Sequence, residues 1–247
     1  MRIAALFDIH GNLPALEAVL AEARAANVDR LVIGGDVVPG PFPRETVMRL
    51  LDTDVPMQFI YGNCEVALLD VMAGHDPSGV PEQHRQIFRW SAGKLAGYEE
   101  LFSGWPRTLH FEVPGLGSVL FCHATPRNEN EIFTRLTAED RLLPIFEGLD
   151  ASVVVCGHTH MQFDRMIGST RVVNAGSVGM PFGESGADWL LLGPGIELKH
   201  TFYDLAKAAE LVRASDYPDA DSFIARTLLN PPTEKEMLEL FRSAELK

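Results

Sequence analysis

The side chains best equipped for chemistry fall in short polar runs, each directly after an apolar run. They are Asp8-Ile9-His10-Gly11-Asn12, Gly35-Asp36, Gly62-Asn63-Cys64-Glu65, Cys122-His123 and Gly157-His158-Thr159-His160. Asp8 and His10 are two residues apart, as are His158 and His160. On an extended chain such neighbours share a side, so each pair can converge on one ion. Two carboxylates, four imidazoles and one amide oxygen make a mixed nitrogen and oxygen donor set. That set suits Mn²⁺, Fe, Zn²⁺, Ni²⁺ or Co²⁺ better than Ca²⁺ or Mg²⁺ alone. Seven donors exceed what one tetrahedral ion takes, but suit two ions sharing a carboxylate, about 3.5–4 Å apart as two-metal sites are.

A frame is needed to bring such distant segments together, and the chain has the rhythm of one. Arg2–Phe7 reads as a strand, followed by a helix that Asn12 caps and Pro14 suits in its first turn. Leu13, Leu16, Val19, Leu20 and Ala23 then recur at helical spacing. Arg30–Ile33 reads as a second strand, Arg44–Leu51 as a helix and Gln58–Tyr61 as a third strand. This βαβαβ order predicts parallel strands, and open α/β sheets bind ligands at the carboxyl ends of their strands. From about Glu65 to Leu101 the pattern is mostly helical, with a break near Gly74–Pro81. Strands are expected at Thr108–Val113, Ser118–Cys122, Ser152–Cys156, Arg171–Asn174, Trp189–Leu192 and Ile196–Tyr203, punctuated by glycine turns. Leu205 to Lys247 reads as two or three short helices. With no repeat and no evident linker, the expectation is one domain over 1–247, with 65–105 as a helical insertion or cap and 205–247 as a helical tail.

In this order, Asp8-Ile9-His10, Gly35-Asp36, Gly62-Asn63, His123 and Gly157-His158-Thr159-His160 resemble the successive motifs of the calcineurin-like metallophosphoesterases. The small bacterial and archaeal phosphodiesterase branch is the one most resembled, and Asn174-Ala175-Gly176-Ser177-Val178-Gly179 is similar to a later segment of those members. The resemblance covers most of the chain and leaves out the helical tail. It implies an α/β fold of four layers, an αββα sandwich of two mixed β-sheets flanked by helices. It also implies that Asp8, His10 and His160 hold one metal, that Asn63, His123 and His158 hold the other, and that Asp36 bridges both. A bridging hydroxide would then attack phosphorus in line, with Asp36, Asn63, Cys64 and His123 at the catalytic positions. Two divalent ions, offset by two carboxylates and a hydroxide, leave about one net positive charge to attract a phosphoryl group.

At one position the chain departs from that pattern. Many members carry a histidine after the motif asparagine, whereas here the residue is Cys64. A thiol, with an unperturbed pKa of about 8.5, is a weak donor to a departing alkoxide. Phosphodiesters and phosphoanhydrides with good leaving groups are therefore expected to react better than alkyl monoesters. Cys64 also reads as a small buried filler, and Cys122 and Cys156, beside ligand positions on strands, are expected to point into the core. Arg127 is a candidate phosphate clamp or the partner of Glu129 or Glu131. Asn12 and Gly11, at a helix start, are candidate substrate contacts. His84 or Arg85 is expected to lean over the site, and Phe88, Trp90 and Trp105 to line a substrate wall or pack as the insertion's own core.

Composition narrows the partners. The chain has 34 acidic against 21 basic residues, a formal net charge of −13. It brings no basic face on which an extended nucleic acid could release counterions. No apolar run reaches the roughly 18–20 residues that span a bilayer, and the N-terminus lacks the pattern of a signal peptide. Three cysteines, an odd number in a chain too large to need staples, point to the reducing cytoplasm. The expectation is a metal-dependent phosphodiesterase acting on small nucleotide-like substrates, with no membrane partner and with the acidic tail as a solvated face or a homodimer surface. The other readings are a phosphomonoesterase for proteins or nucleotides, a dinucleoside polyphosphate hydrolase, and a metal-dependent scaffold without turnover.

Overall fold

Alternate residues along the central strands face two different apolar layers, and this period of two sets the architecture. In β1 (Ile3–Leu6), Ala4 and Leu6 pack among helices while Ile3 and Ala5 pack against the opposing sheet. In β2 (Arg30–Ile33), Leu31 and Ile33 take the helical side and Val32 the inner side. In β5 (Gly117–Cys122) and β6 (Val153–Cys156), Val119, Phe121, Val153 and Val155 face inward, and Leu120, Cys122, Val154 and Cys156 face outward. Strands buried on both faces belong to the middle of a layered fold.

The structure is a computed structural model that describes residues 1–77 and 80–246. One sheet contains β1, β2, β3 (Met57–Phe59), β9 (Ala187–Leu192) and β10 (Ile196–Thr201), in the order β10-β9-β1-β2-β3. The other contains β4 (Thr108–Val113), β5, β6, β7 (Phe163–Ile167) and β8 (Thr170–Asn174), in the order β4-β5-β6-β8-β7. Both are mixed: β1-β2-β3 and β5-β6-β8 are parallel runs with antiparallel strands added at the edges. Helices α1 (Leu13–Ala25), α2 (Pro43–Leu51), α3 (Asn63–Met72), α4 (Glu82–Lys94) and α5 (Glu99–Ser103) cover the first sheet, and α6 (Glu139–Phe146) covers the second. The αββα sandwich is therefore as expected.

Beyond the sheets, α7 (Leu205–Ala214), α8 (Ala220–Phe223), a π-helical turn (Ile224–Leu229) and α9 (Glu234–Arg242) form the tail. Its apolar residues Ala209, Val212, Tyr217, Phe223, Ile224 and Leu228 pack with Phe42, Ile87, Trp90 and Met180. The tail thus folds back over α4. Among the described residues, no helix is long and apolar enough to cross a membrane.

Two elements were not legible in the sequence. Strand β7 carries Asp164 and Arg165 on an edge and breaks the apolar alternation. Helix α6 contains Pro144 in its last turn. The third strand also begins earlier than expected, and the last one ends at Thr201. The anticipated break at Gly74–Pro81 includes residues 78 and 79, which lie outside the described residues.

Candidate metal centre

The predicted donors come together at the carboxyl ends of β1, β2, β3, β5 and β6, although not for the local reason expected. Asp8 and His10 are not on extended chain, since their φ angles are +53° and +47°. Asp36, His158 and His160 are also left-handed, at +51°, +66° and +55°. For residues with a Cβ this conformation costs on the order of 1–3 kcal/mol each and persists only where the surroundings impose it.

Those surroundings are a lattice of backbone hydrogen bonds between loops. Asp8, His10 and Gly11 donate their N–H groups to the carbonyls of Gly35 (3.1 Å), Asp36 (3.0 Å) and Val37 (2.8 Å). Val178 and Gly179 donate to Phe7 and Asp8, and the Ser177 hydroxyl donates to the Asp8 carbonyl at 2.7 Å. Asn174 donates to Gly157 O at 2.6 Å. The segment 174–179 is therefore a buttress for the loops after β1 and β6. Two glycines are required by close approach. A Cβ on Gly62 would lie 2.2 Å from Asp36 Oδ1, and one on Gly157 would lie 2.4 Å from Asp8 Oδ2.

Glu65 is the residue whose importance the sequence reading missed. Fully buried, its carboxylate accepts N–H bonds from Asp36 (2.8 Å), Gly62 (2.7 Å) and Val37 (2.9 Å). It ties the loop after β2 to the start of α3. Burial and the Asp36 charge push its pKa up to about 7, against the opposing effect of the backbone donors. The available signal was a glutamate three positions after Gly62, the spacing by which a side chain returns to a helix's first N–H.

Around the centre, Asp8 Oδ1 lies 3.3 Å from His160 Nε2 and 3.9 Å from Nε2 of both His10 and His123. His10 and His160 bring their Nε2 atoms to 3.2 Å from each other. His123 Nε2 is 3.1 Å from Asn63 Oδ1 and 3.6 Å from Asp36 Oδ1. Among the described residues, three groups have donor atoms close enough for one ion: Asp8, His10 and His160; Asp8, Asp36 and His123; and His10, Asp36 and Cys64. His158 stands beside them, its ring centroid 5.1 Å from that of His123, and belongs to none of the three.

The outer ring nitrogens are held by backbone. His123 Nδ1–H donates to Gly34 O (2.9 Å), His160 Nδ1–H to Met180 O (2.9 Å) and His158 Nε2–H to Asn130 O (3.2 Å). Each bond fixes the tautomer and leaves the other nitrogen as the donor to a ligand. Helix α3 points its first turn at the centre, where Cys64 N donates to Asp36 Oδ1 at 2.8 Å. A helix N-terminus favours that carboxylate.

These residues fit a cation. Asp8 Oδ1 is buried with no hydrogen-bond partner among the described residues, although its sister oxygen accepts from His158 N. A bare carboxylate oxygen beside three imidazole nitrogens is costly without a proton or a metal between them. Burial alone would raise the Asp8 carboxyl, but His160, His123 and His10 hold it well below the usual carboxylate range. Burial and His160 push His10 down to about 4, and burial and His123 do the same to His158. Burial works against His123 and His160 as well, yet Asp36 and Asp8 raise the first and Asp8 raises the second.

The remaining expectations divide. Cys64 is at the centre, where burial and the Asp36 carboxylate push its thiol well up, so it is a neutral thiol rather than a thiolate. Cys122 and Cys156 point into the core as anticipated. Asn12 does not face a substrate. It is 1% exposed, and its amide donates to Gly179 O and Tyr203 Oη while its oxygen caps α1 at Ala15 N. The N–H groups of Gly11 and Asn12 are likewise committed, to Val37 O and Ile9 O. Arg127 makes the alternative ion pair, its guanidinium gripping the Glu131 carboxylate, with Nε at 2.7 and 2.8 Å.

Beside the centre lies a cavity of about 560 Å³, with His10 and Cys64 at its inner end. His84 and Phe88 of α4 line it, as anticipated. Arg85 is instead held by Glu82 and Val80 O, Trp105 stacks on Phe59, and Trp90 packs edge-on to Tyr217.

Comparison with known proteins agrees with this architecture. The chain is 26% identical to an uncharacterized protein of Methanocaldococcus jannaschii, covering 88% of this chain and 94% of that one. A hypothetical protein from Pyrococcus horikoshii superposes with a TM-score of 0.77 at 19% identity, over 90% of this chain and 97% of its own. A metallophosphoesterase from Sphaerobacter thermophilus gives 0.71 at 23% identity, over 92% and 97%. These structural likenesses establish the fold, and the sequence itself carries the calcineurin-like phosphoesterase superfamily domain over residues 1–192. With every loop of the centre inside that span, the chain belongs to the calcineurin-like phosphoesterases, a family of metal-dependent phosphoester hydrolases.

Proposed function

We propose that the protein is a phosphodiesterase acting on small nucleotide-like substrates with two divalent transition-metal ions, Mn²⁺ first among them. Asp8, His10 and His160 would hold one ion, Asn63, His123 and His158 the other, and Asp36 both. When bound, the ions would supply Lewis-acid charge at the phosphoryl oxygens and lower the pKa of water toward neutrality. The observation that carries this reading is the bare Asp8 Oδ1 among three imidazole nitrogens, two of them on rings whose outer N–H is fixed by a carbonyl.

The chain's own residues have distinct tasks in this scheme. Asp36 is held for both ions by Cys64 N and, through its own backbone, by Glu65. His123 Nε2 and Asn63 Oδ1, 3.1 Å apart, would both offer lone pairs to the same ion. Cys64, a neutral thiol at the inner end of the cavity, offers a weak proton to a departing oxygen. Such a donor serves good leaving groups better than poor ones, which favours diesters over alkyl monoesters.

The test compares bis(p-nitrophenyl) phosphate with p-nitrophenyl phosphate on Mn²⁺-loaded protein, with Asp36→Asn as the blank. A faster diester, with activity in Asp36→Asn reduced at least about a thousandfold, is expected, since a shared ligand exceeds the 10–100-fold of an outer partner. A faster monoester would replace the diesterase reading with a phosphatase. No rate above the blank for either substrate would contradict hydrolysis altogether.

A further inference from the structure

Half the wall of the cavity comes from outside the family domain. Phe223, Arg226, Thr227, Met237 and Leu240 belong to the tail, beyond residue 192, and line the same space as His10 and Cys64. Facing them are Ile87 and Phe88 of α4 and Phe182 after the buttress segment. The walls are thus mainly apolar and partly aromatic, with Gln83, His84, Asp219 and Ser222 as polar lining besides Arg226 and Thr227, while His10 and Cys64 belong to the centre. A cavity of about 560 Å³ is within the range of small-ligand sites.

The tail reaches this position by an unusual backbone. Ile224–Leu229 is a π-helical turn, with Ile224 and Leu228 buried in the tail's own core and Arg226 and Thr227 on the cavity. Short π turns inside helices are rare and often occur at functional sites. Arg226 is exposed and has no hydrogen bond or ion pair with another described residue. Glu236 feels its charge, but that carboxylate is taken by the Thr233 N–H (2.8 Å) and hydroxyl (2.7 Å). The guanidinium is therefore available to a ligand.

Resting on the phosphodiesterase reading above, we infer that this cavity seats the ester group that stays on phosphorus. It selects an aromatic or heteroaromatic group bearing a negative charge, as a nucleotide with a further phosphate does. The ring lies between the apolar walls of α4 and the tail, and Arg226 reads the additional anion. Guanidinium suits that role because it pairs with carboxylate and phosphate in a two-point geometry. Substrate choice thus resides in the tail, while the chemistry resides in the family domain.

Three diesters with one leaving group test this: methyl, phenyl and 4-carboxyphenyl p-nitrophenyl phosphate, each hydrolysed by water to p-nitrophenolate and the remaining monoester. In the Mn²⁺-loaded protein, kcat/KM is expected to rise about 10–100-fold from methyl to phenyl. A further rise of about 3–10-fold is expected from phenyl to 4-carboxyphenyl. Arg226→Ala should bring the last ratio near one, whereas Arg242→Ala, which removes the same charge from an exposed tail position off the cavity, should preserve it. Phe223→Leu should lower the phenyl-to-methyl ratio. Equal rates for the three esters, or the same ratios in the Arg226 and Arg242 variants, would overturn the inference. If no ester is hydrolysed, the phosphodiesterase reading has failed, and calorimetric binding of 4-carboxyphenyl methyl phosphate decides the cavity alone. Weaker binding to Arg226→Ala than to Arg242→Ala supports it, and equal or absent binding overturns it.

Discussion

At the floor of the cavity, five left-handed residues are held by hydrogen bonds between loops, and the rings of His123, His158 and His160 each have a backbone partner. At its roof, α4 and the tail meet through Ile87, Trp90, Tyr217 and Phe223, with one exposed ion pair, Lys94 to Asp216, joining them. The floor holds donor atoms where small displacements matter, so it uses directional bonds that strain cannot relax. The roof has only to enclose a ligand, and non-directional apolar contact suffices for that. The floor lies wholly within the family domain, whereas the roof joins α4 of that domain to the tail beyond residue 192.

Glu65→Gln strikes the floor, and its expected effect is the largest outside the donor residues themselves. The amide presents N–H groups where the carboxylate now accepts from Asp36, Gly62 and Val37. Leaving a buried donor unpaired costs about 1–3 kcal/mol. Activity should fall about 10–100-fold, the loss typical of an outer partner of a metal site. Thermal unfolding and kcat/KM measured together check this. A lower Tm with unchanged activity would mean that Glu65 fastens loops without positioning Asp36.

Trp90→Ala tests the roof. It removes the edge-on contact with Tyr217, at 5.4 Å between ring centroids. Because Trp90 is only half-buried, the cost should be about 2 kcal/mol, below the 3–5 of a fully buried tryptophan. Because Tyr217 lines the cavity, loosening it should raise KM for an aromatic diester while kcat stays within about twofold, the pattern of weakened uniform binding. A fall in kcat with KM unchanged would show that roof and floor are coupled.

The smallest effect is expected at His200, which lies outside both regions. Its Nδ1 is 2.7 Å from Asp188 Oδ1 across β9 and β10, and that bond raises its pKa above the usual value of about 6.5. A raised folded-state pKa stabilises fully below the unfolded value and is lost as pH rises through the folded value. The Tm difference between wild type and His200→Gln should therefore be greatest near pH 5.5 and shrink above neutrality. A difference that grows with pH would assign the opposite sign to the pair.

The floor was legible because its donors are local: each is a chemically telling residue just after an apolar run. The geometry was not, because Asp8 and His10 converge through two left-handed residues rather than through strand alternation. Glu65 escaped notice because its three partners lie on two loops brought together only by folding. Asn12 was correctly read as a cap, but its second task, holding Gly179 and Tyr203, spans distant segments. The α4 side of the roof was legible, since His84 and Phe88 were expected there, but the tail side was not, for the same reason. Nothing in residues 217–240 announces that they face His10, since that contact depends on how the tail packs on α4.

The central claim is that Asp8, His10, Asp36, Asn63, His123, His158 and His160 form a centre for two ions. Elemental analysis of Mn²⁺-loaded protein after desalting measures this directly, with Asp36→Asn alongside. Two ions per wild-type chain, and at most one in the variant that has lost the shared carboxylate, are predicted. One ion or none in the wild type, or equal loading of the two proteins, would contradict the account.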